Sequence, residues 1–320
     1  MRRLRRLARD ATDLAQVREW LSGYLRGEVR PRDDRRATAL MTVPRLVGSP
    51  GAGTVWAVAT VRDEVDVVEA SIRHLLDQGV DSVLVSDHLS TDGTRELLTE
   101  LARSDPSIHV AIDDEPGHFQ KEKITRLARA AWRAGAEWIV PFDADEFWFA
   151  EGCRLAEFLR TTRAAVVTAE MHDVVPVAGS VEEFQDREYL VDEQPSGDVK
   201  VAFRAHPLAR VGPGNHGVSR VGLQAPGLRI AHIPYRGPTQ LERKFQTGSA
   251  ALDRSGAAEW EGWHWRAGAG LNDTELEELW QLIRSGGRSE LIGWKPSGSW
   301  RRERILRSRA WTGEPPGASD

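Results

Sequence analysis

The chain has 320 residues, enough for one large domain or two smaller ones, and 40% of them are hydrophobic, which suffices for a packed core. The formal net charge is −5 and the pI is about 6.0, which excludes a general binder of polyanions, so we expect no nucleic-acid partner. A single cysteine, Cys153, excludes an internal disulfide and predicts a reducing compartment, most simply the cytoplasm.

The beginning of the chain is rich in arginine, with eleven Arg against six Asp and Glu in the first 36 residues. It lacks the long apolar run of a secretory signal, and no stretch of the sequence approaches membrane-spanning length. We expect a basic helical extension over residues 1–50. Two interpretations are open: a solvated helix that caps the main domain, or a weak peripheral contact with anionic lipid on the inner face of the membrane. The second rests on apolar residues at roughly helical spacing, namely Leu4, Leu7, Leu14 and Val17.

The next part of the chain, residues 51–250, begins with an alternation of strand and helix patterns. Continuous apolar runs predict buried strands at 55–61, 80–86, 107–112 and 137–142. Amphipathic segments lie between them, the last at about 120–134. This alternation predicts parallel strand–helix–strand units, with helices on both faces of the sheet.

Polar side chains follow every one of these strands, where ligands bind in such sheets. They are Arg62, Asp63 and Glu64, then Asp87 and His88, then Asp113 and Asp114, then Asp143 and Asp145. The stretch FDADEFW holds three carboxylates within four positions, and like charges this close repel unless a cation or a hydrogen-bond network compensates. A divalent metal site is one interpretation. A solvated acidic turn is the other, and the flanking aromatic residues disfavour full exposure.

The pattern changes after residue 150. A short helix, a strand at 199–204 and a helix from about 238 are predicted, and seven of the twelve tryptophans lie between Trp260 and Trp311. We expect a Trp-rich C-terminal extension over 251–320 with a disordered tail. The tryptophans at 260–265 are expected to serve packing rather than the stacking of a sugar ring.

Several segments resemble family 2-type glycosyltransferases of the GT-A fold. Asp63-Glu64 follows the first strand, DHLSTDGT at 87–94 follows the second, and Asp143-Ala144-Asp145 stands where these enzymes carry an Asp-x-Asp metal motif. The form DADEF, with AHIPYRGPTQLERKF at 231–245, is similar to the subgroup called glycosyltransferase family 2-like. The resemblance covers roughly residues 55–250. It implies a GT-A-type, Rossmann-like α/β fold with a mixed, mainly parallel sheet, helices on both faces, and helical N- and C-terminal extensions.

The resemblance also implies a reaction. A sugar would move from a UDP- or GDP-sugar donor to an unidentified glycan, lipid or protein acceptor, with inversion at the transferred carbon. A divalent Mn²⁺ or Mg²⁺ ion would neutralise the departing diphosphate. Asp143 and Asp145 are the implied metal ligands, and His216 is a candidate for a late ligand that closes the site.

Roles for the remaining polar residues follow from the same resemblance. Donor-binding residues would be Arg62, Asp63, Glu64, Asp87, Lys123, Arg126, Asp143, His232 and Arg236. For Lys123 and Arg126, a solvent-facing side of the third helix is an equal alternative. An inverting transfer needs a general base near the acceptor hydroxyl, and the candidates are Asp173 and Glu146.

Two other functions fit parts of the pattern. A nucleotidyltransferase uses a related sheet and Mg²⁺, but it normally has a Gly-rich loop after the first strand, where this chain has VRDEVD. A non-catalytic scaffold could retain the fold, although the intact Asp143 and Asp145 argue against loss of activity.

Overall fold

The computed structural model describes residues 12–29, 31–46, 53–177, 184, 186–256, 258 and 262–306. The strands are β1 (Met41–Thr42), β2 (Val55–Val61), β3 (Ser82–His88), β4 (Ile108–Asp113), β5 (Trp138–Pro141), β6 (Glu146–Ala150), β7 (Val166–Pro176), β8 (Tyr189–Asp192), β9 (Val199–Arg204), β10 (Gln224–His232) and β11 (Trp300–Glu303). The helices are α1 (Thr12–Leu25), α2 (Pro31–Ala37), α3 (Val68–Asp77), α4 (Thr94–Ser104), α5 (Gln120–Ala134), α6 (Leu155–Thr161), α7 (Pro238–Ser255), α8 (Trp263–Gly268) and α9 (Asp273–Arg284).

The strands form one mixed sheet in the order β1-β4-β3-β2-β5-β9-β7-β10-β6, with β8 and β11 branching from β7. Strands β4, β3, β2 and β5 are mutually parallel neighbours. The predicted parallel α/β core is therefore confirmed. We call β2 to β5 with α3, α4 and α5 the parallel half of the sheet.

The other strands are mostly antiparallel. Strand β9 runs against both β5 and β7, while β10 is parallel to β7 and antiparallel to β6. We call β6 to β10 with α7 the return half. Asp173, a candidate general base, lies inside β7, which continues to Pro176.

The hydrophobic core lies on both faces of the sheet. Along β2, Val55, Ala57 and Ala59 belong to one buried cluster, whereas Trp56 and Val58 belong to another. Successive side chains of a strand point to opposite faces, so a continuous apolar run such as this one needs cover on both sides.

The N-terminal segment packs against the main sheet through polar contacts. Gln16 of α1 is fully buried, and its side chain donates to Ser219 O at 2.6 Å and accepts from the Val221 N–H at 2.9 Å. Strand β1 lies inside the predicted 1–50 extension, yet it pairs with β4 at the sheet edge. Leu4 and Leu7 of the predicted lipid contact lie outside the described residues. None of the described helices combines the length and the apolar character that crossing a bilayer requires.

The C-terminal segment forms a third buried cluster. Helices α7 and α9 pack there, with Trp280 and Trp294 both buried. Strand β11 joins the sheet through β8. The predicted disordered tail lies outside the described residues.

Candidate functional site

The acidic side chains predicted at the strand ends lie along one edge of the sheet. The register pairs the last residue of β2 with Asp87, and His88 of β3 with Asp113, so these strands end level with one another. Asp143 and Asp145 follow β5, which neighbours β2 on the other side. The parallel register therefore gathers the carboxylates in one place.

The ends of β2 and β3 hold buried polar atoms that have no hydrogen-bond partner in the described part of the chain. Asp87 is fully buried, and Arg95 Nε donates to its Oδ2 at 2.6 Å while its Oδ1 has no partner. Three further buried atoms have no hydrogen-bond partner among the described residues: Arg62 Nε, Arg62 Nη1 and Asp63 Oδ2. Arg62 Nε does lie 3.7 Å from Asp63 Oδ2, within the range of an ion pair. Each buried polar group without a partner lowers the folding stability by about 1–3 kcal/mol. A bound molecule with a polar edge could supply the missing hydrogen bonds to these atoms.

Asp63 joins the loop after β2 to the loop after β3. Its φ of 56° lies in the left-handed region, which Asp enters more readily than most residues. Its Oδ1 accepts from the Thr91 N–H at 2.7 Å, and the Asp63 N–H donates to Ser90 Oγ at 3.0 Å. The two loops are thus held as one surface.

Asp143 is held by side chains from three separate segments. Lys200 of β9 donates to Oδ2 at 2.7 Å, while Gln120 of α5 and Asn215 each donate to Oδ1 at 3.2 Å. Because both carboxylate oxygens are engaged, the orientation of Asp143 is set before any ligand arrives.

Asp145 is nearly buried and ionised. Lys244 Nζ donates to its Oδ2 at 2.7 Å, and His232 Nε2 lies 4.0 Å from the same oxygen. Burial alone would raise the pKa of Asp145, but Lys244, His232 and Arg236 outweigh it and hold the pKa well below its usual range. The carboxylate is therefore charged throughout the physiological pH range.

Glu146 is fully buried beneath this pair of aspartates. Lys200 Nζ lies 2.8 Å from Oε1, and Oε2 accepts from the Asp143 N–H at 3.1 Å and the Trp148 indole N–H at 3.3 Å. Burial raises the pKa of Glu146 to about 7, although Lys200 opposes the shift. With both oxygens engaged, Glu146 holds the Asp143 turn, and the geometry does not favour the role of general base.

His232 and Asp173 lie opposite each other on β10 and β7. His232 Nδ1 donates to Asp173 Oδ1 at 3.3 Å, and its other ring nitrogen faces Asp145. Burial alone would lower the pKa of His232, but Asp173 and Asp145 raise it overall. The imidazole thus bridges the acidic edge and a carboxylate of the return half.

Arg236 links the loop after β2 to the segment after β10. Its side chain is only 3% exposed; Nε donates to Asp66 Oδ2 at 2.7 Å, and Nη2 contacts Glu64 Oε2. Burial raises the pKa of Glu64 to about 7, while Arg236 and Lys244 oppose the shift. Arg236 therefore adds a second buried cation close to Asp145.

Lys123 and Arg126 have other partners. The Lys123 ammonium is fully buried, lies 2.7 Å from Asp113 Oδ2 and donates to Gly117 O at 2.6 Å. Arg126 donates to Met41 O at 3.0 Å, toward the N-terminal segment. The geometry assigns both side chains to the fold and does not favour the diphosphate role predicted for them.

The two histidines with predicted roles lie in different surroundings. His216 is exposed, and its Nδ1 donates to Val199 O at 2.8 Å. Its neighbour Asn215, rather than His216, contacts Asp143. His232 is the histidine beside Asp145, so the geometry does not favour His216 as a metal ligand. Within the described residues, no group of three or more His, Cys, Asp or Glu side chains is arranged to hold a metal ion.

Four contributors to this site are not evident from the sequence motifs: Arg95, Gln120, Lys200 and Asn215. Lys200 had a visible signal, since VKVAFR puts a lysine among otherwise buried strand positions. Gln120 and Asn215 carry no local signal, because Asp143 is 23 and 72 residues away from them in the sequence.

Comparison with known proteins shows what part of the chain is similar to. Residues 57–191 match the family described as Glycosyl transferase family 2. None of the curated proteins matches the sequence. Among solved structures, fragment 1–349 of S. aureus TarS is 11% identical, with 82% of this chain and 99% of that chain covered and a TM-score of 0.35. The mannosyltransferase PcManGT from Pyrobaculum calidifontis, in complex with GDP-Man and Mn²⁺, is 15% identical, with 87% and 86% covered and a TM-score of 0.38. Both likenesses are distant.

The matched segment contains the parallel half of the sheet from β2 onward, together with Asp63, Asp87, Asp143 and Asp145. A mixed, mainly parallel sheet with helices around it and an acidic edge fits the GT-A fold. The segment 57–191 is similar to Glycosyl transferase family 2.

Proposed function

We propose that the chain transfers a sugar from a UDP- or GDP-sugar to an acceptor, and that the acidic sheet edge binds the donor with a divalent metal ion. The observation that carries the proposal is the set of unpartnered buried atoms on Arg62, Asp63 and Asp87. They lie level with Asp143 and Asp145, so one elongated ligand can meet both groups.

The nucleoside lies at the ends of β2 and β3 in this proposal. Asp87 Oδ1 accepts from a ring N–H of the base, which uracil and guanine both carry. Arg62 and Asp63 meet the remaining polar edge of the base and the ribose. Arg95 orients Asp87, since it donates to the other carboxylate oxygen.

The metal ion fits the donor set at Asp145 and Asp143. Mg²⁺ is usually bound through one or two carboxylates together with substrate phosphates and water, so a preformed cage of three protein ligands is not needed. The low pKa of Asp145 keeps its carboxylate available as a hard oxygen ligand. When bound, the metal would stabilise the negative charge that develops on the departing diphosphate.

The cations of the return half have a second task. Lys244 and Arg236 both act on Asp145, so they supply positive charge beside the acidic edge. They can turn from the carboxylates toward phosphate oxygens, and His232 also lies beside Asp145. This supports a phosphate role for His232, Arg236 and Lys244.

We assign the general base for an inverting transfer to Asp173. Its side chain is 13% exposed and is oriented by His232, whereas Glu146 is enclosed. A base that has one fixed contact and some access to solvent can reach an acceptor hydroxyl.

The donor and metal roles are tested by thermal shift with UDP or GDP plus Mn²⁺. Stabilisation of the wild-type protein should disappear with EDTA and in Asp145→Asn, because the amide is a much weaker ligand than the carboxylate. Asp77→Asn, an exposed position at the far end of α3, is the matched control and should respond as wild type does. Full metal-dependent stabilisation of Asp145→Asn would refute the role.

Peripheral membrane contact through the N-terminal segment is part of the same proposal. In α1, Leu14, Leu21 and Leu25 are 84%, 48% and 83% exposed, and the preceding segment is rich in arginine, which suits an anionic lipid surface. The wild-type chain should rise with vesicles containing phosphatidylserine in a flotation assay, whereas the Leu14→Ser/Leu25→Ser double variant should stay in the unbound fraction. Leu223→Ser, at an exposed leucine elsewhere, is the control. Equal flotation of all three proteins would end the membrane proposal.

A further inference from the structure

Four rings form a continuous cluster that the donor site does not use: His118, Trp263, His264 and Trp265. The Trp263 and His264 rings lie 6.0 Å apart, His264 and Trp265 5.4 Å apart, and His118 meets Trp265 edge to face at 5.4 Å. Three of the four follow the segment that matches the family, so they belong to the C-terminal part of this chain.

The cluster adjoins the acidic edge through two connections. His118 lies two residues before Gln120, whose side chain donates to Asp143. Trp265 packs flat on Gly248 of α7, where an added Cβ would lie 2.6 Å from the indole, and Gly248 is one turn beyond Lys244. Lys244 in turn donates to Asp145.

Electrostatics support the same placement. The pKa of His118 is lowered mainly by burial, with the charges of Lys123 and Asp143 also acting on it. The pKa of His264 is likewise lowered by burial and then by Lys244. Both imidazoles therefore lie within electrostatic range of residues at the donor edge.

Trp263 departs from the packing role expected for this part of the sequence. Gly293 lies close to its six-membered ring, yet 46% of the residue remains exposed. Trp265 packs against the third buried cluster, as expected. The cluster therefore combines one anchored indole with one that offers a surface to a ligand.

The two histidines provide the polar groups of a binding site. Neither ring makes a hydrogen bond to another described residue, and burial lowers the pKa of each to about 4, so both are neutral near pH 7. A neutral imidazole offers one donor and one acceptor nitrogen, which matches a hydroxyl group. An indole beside such groups suits a sugar ring, whose C–H bonds lie on the aromatic surface while its hydroxyls bond at the rim.

We propose that His118, Trp263 and His264 form a carbohydrate subsite for the acceptor, anchored by Trp265. The proposal rests on the proposed glycosyltransferase function, and it narrows the acceptor to one that presents a saccharide. A lipid or peptide surface would use the exposed indole without needing the imidazole nitrogens.

Saturation-transfer NMR on the full chain tests the subsite with four neutral probes: maltotriose, cellotriose, mannotriose and N-acetylchitotriose. At least one should receive saturation from the wild-type protein. Trp263→Ala should bind that probe about tenfold more weakly, as expected for the loss of one stacked aromatic contact. His118→Phe keeps a ring of similar size, removes both nitrogens and should also weaken binding. Trp132→Ala, a partly exposed tryptophan at the far end of α5, is the control.

The outcomes separate the two proposals. The subsite proposal is overturned if no probe binds, or if Trp263→Ala and His118→Phe bind the probe as tightly as wild type does. The donor proposal still stands in that case, provided that nucleotide and Mn²⁺ stabilise the protein. If a probe binds in the expected way while no nucleotide stabilises the protein, the donor proposal fails instead. A thermal melt of each variant identifies weakened binding that is caused only by unfolding.

Discussion

The two aspartates of the motif and the cations that hold them come from different halves of the sheet. Asp143 and Asp145 lie in the turn after β5, at the end of the parallel half. Their cations, Lys200 from β9 and Lys244 from α7, belong to the return half. Asp87 differs, because it is paired with Arg95 within the parallel half. Asp143 and Asp145 are therefore compensated only after the chain has passed through the sheet a second time.

This division has a consequence for activity as well as folding. Asp87 on β3 is expected to act in donor binding, whereas Asp173 on β7 is expected to carry the proton transfer. Variants of these two residues should therefore affect different kinetic parameters.

The largest expected effect concerns Asp173→Asn. Loss of a general base should lower the rate of nucleotide release from the donor by about 10²–10⁴-fold, while the affinity for nucleotide plus Mn²⁺ stays close to that of wild type. Glu170→Gln is the matched control, because Glu170 lies on the same strand but is exposed. The assignment is wrong if Asp173→Asn weakens nucleotide binding and leaves the rate intact.

The next effect concerns stability and Lys200→Met. Lys200 is 4% exposed and is the cation closest to both Asp143 and Glu146, so its removal leaves a buried carboxylate without compensation. Breaking a buried ion pair in this way should lower the free energy of unfolding by about 3–5 kcal/mol, measured by denaturant titration near pH 8.

A double-mutant cycle separates this pairing from simple loss of packing. Adding Glu146→Gln to Lys200→Met removes the uncompensated charge, so the double variant should be more stable than the sum of the single effects predicts. Strictly additive losses would show that Lys200 and Glu146 are not coupled.

The difference between the parallel half and the return half also explains which features could be predicted from the sequence. Parallel strands buried on both faces leave continuous apolar runs, and their ends carry the carboxylates, so β2 to β5 and the acidic edge were predictable. The partners of Asp143 could not be found in this way. Lys200 is 57 residues from Asp143, and the register of β9 beside β5 decides that they meet.

The histidines illustrate the same limit. His216 and His232 both lie near turn residues in the sequence, and nothing local distinguishes them. Only the pairing of β10 with both β6 and β7 sets His232 opposite Glu146 and Asp173. Long-range strand order, rather than residue type, selected the histidine beside Asp145.

One histidine lies where the two halves join. His74 of α3 is 7% exposed; its Nε2 donates to Trp148 O of β6 at 2.8 Å, and its ring contacts Phe147 and Phe149. Burial lowers the pKa of His74 to about 4. Between pH 6.5 and 4 the unfolded chain therefore binds a proton at this residue that the folded chain excludes, and the stability associated with neutral His74 is lost as the pH falls through that window.

The smallest of the three expected effects is the pH dependence that His74 contributes. It should amount to about 3 kcal/mol across that window. Glu64 and Glu146, with pKa values raised to about 7 by burial, act in the opposite direction, so the quantity to measure is the difference between wild type and His74→Gln at each pH. The wild-type free energy of unfolding should fall toward that of the variant as the pH drops, and the exposed-site control His216→Gln should follow wild type. Parallel profiles for wild type and His74→Gln would mean that protonation of His74 does not oppose the packing of α3 on β6.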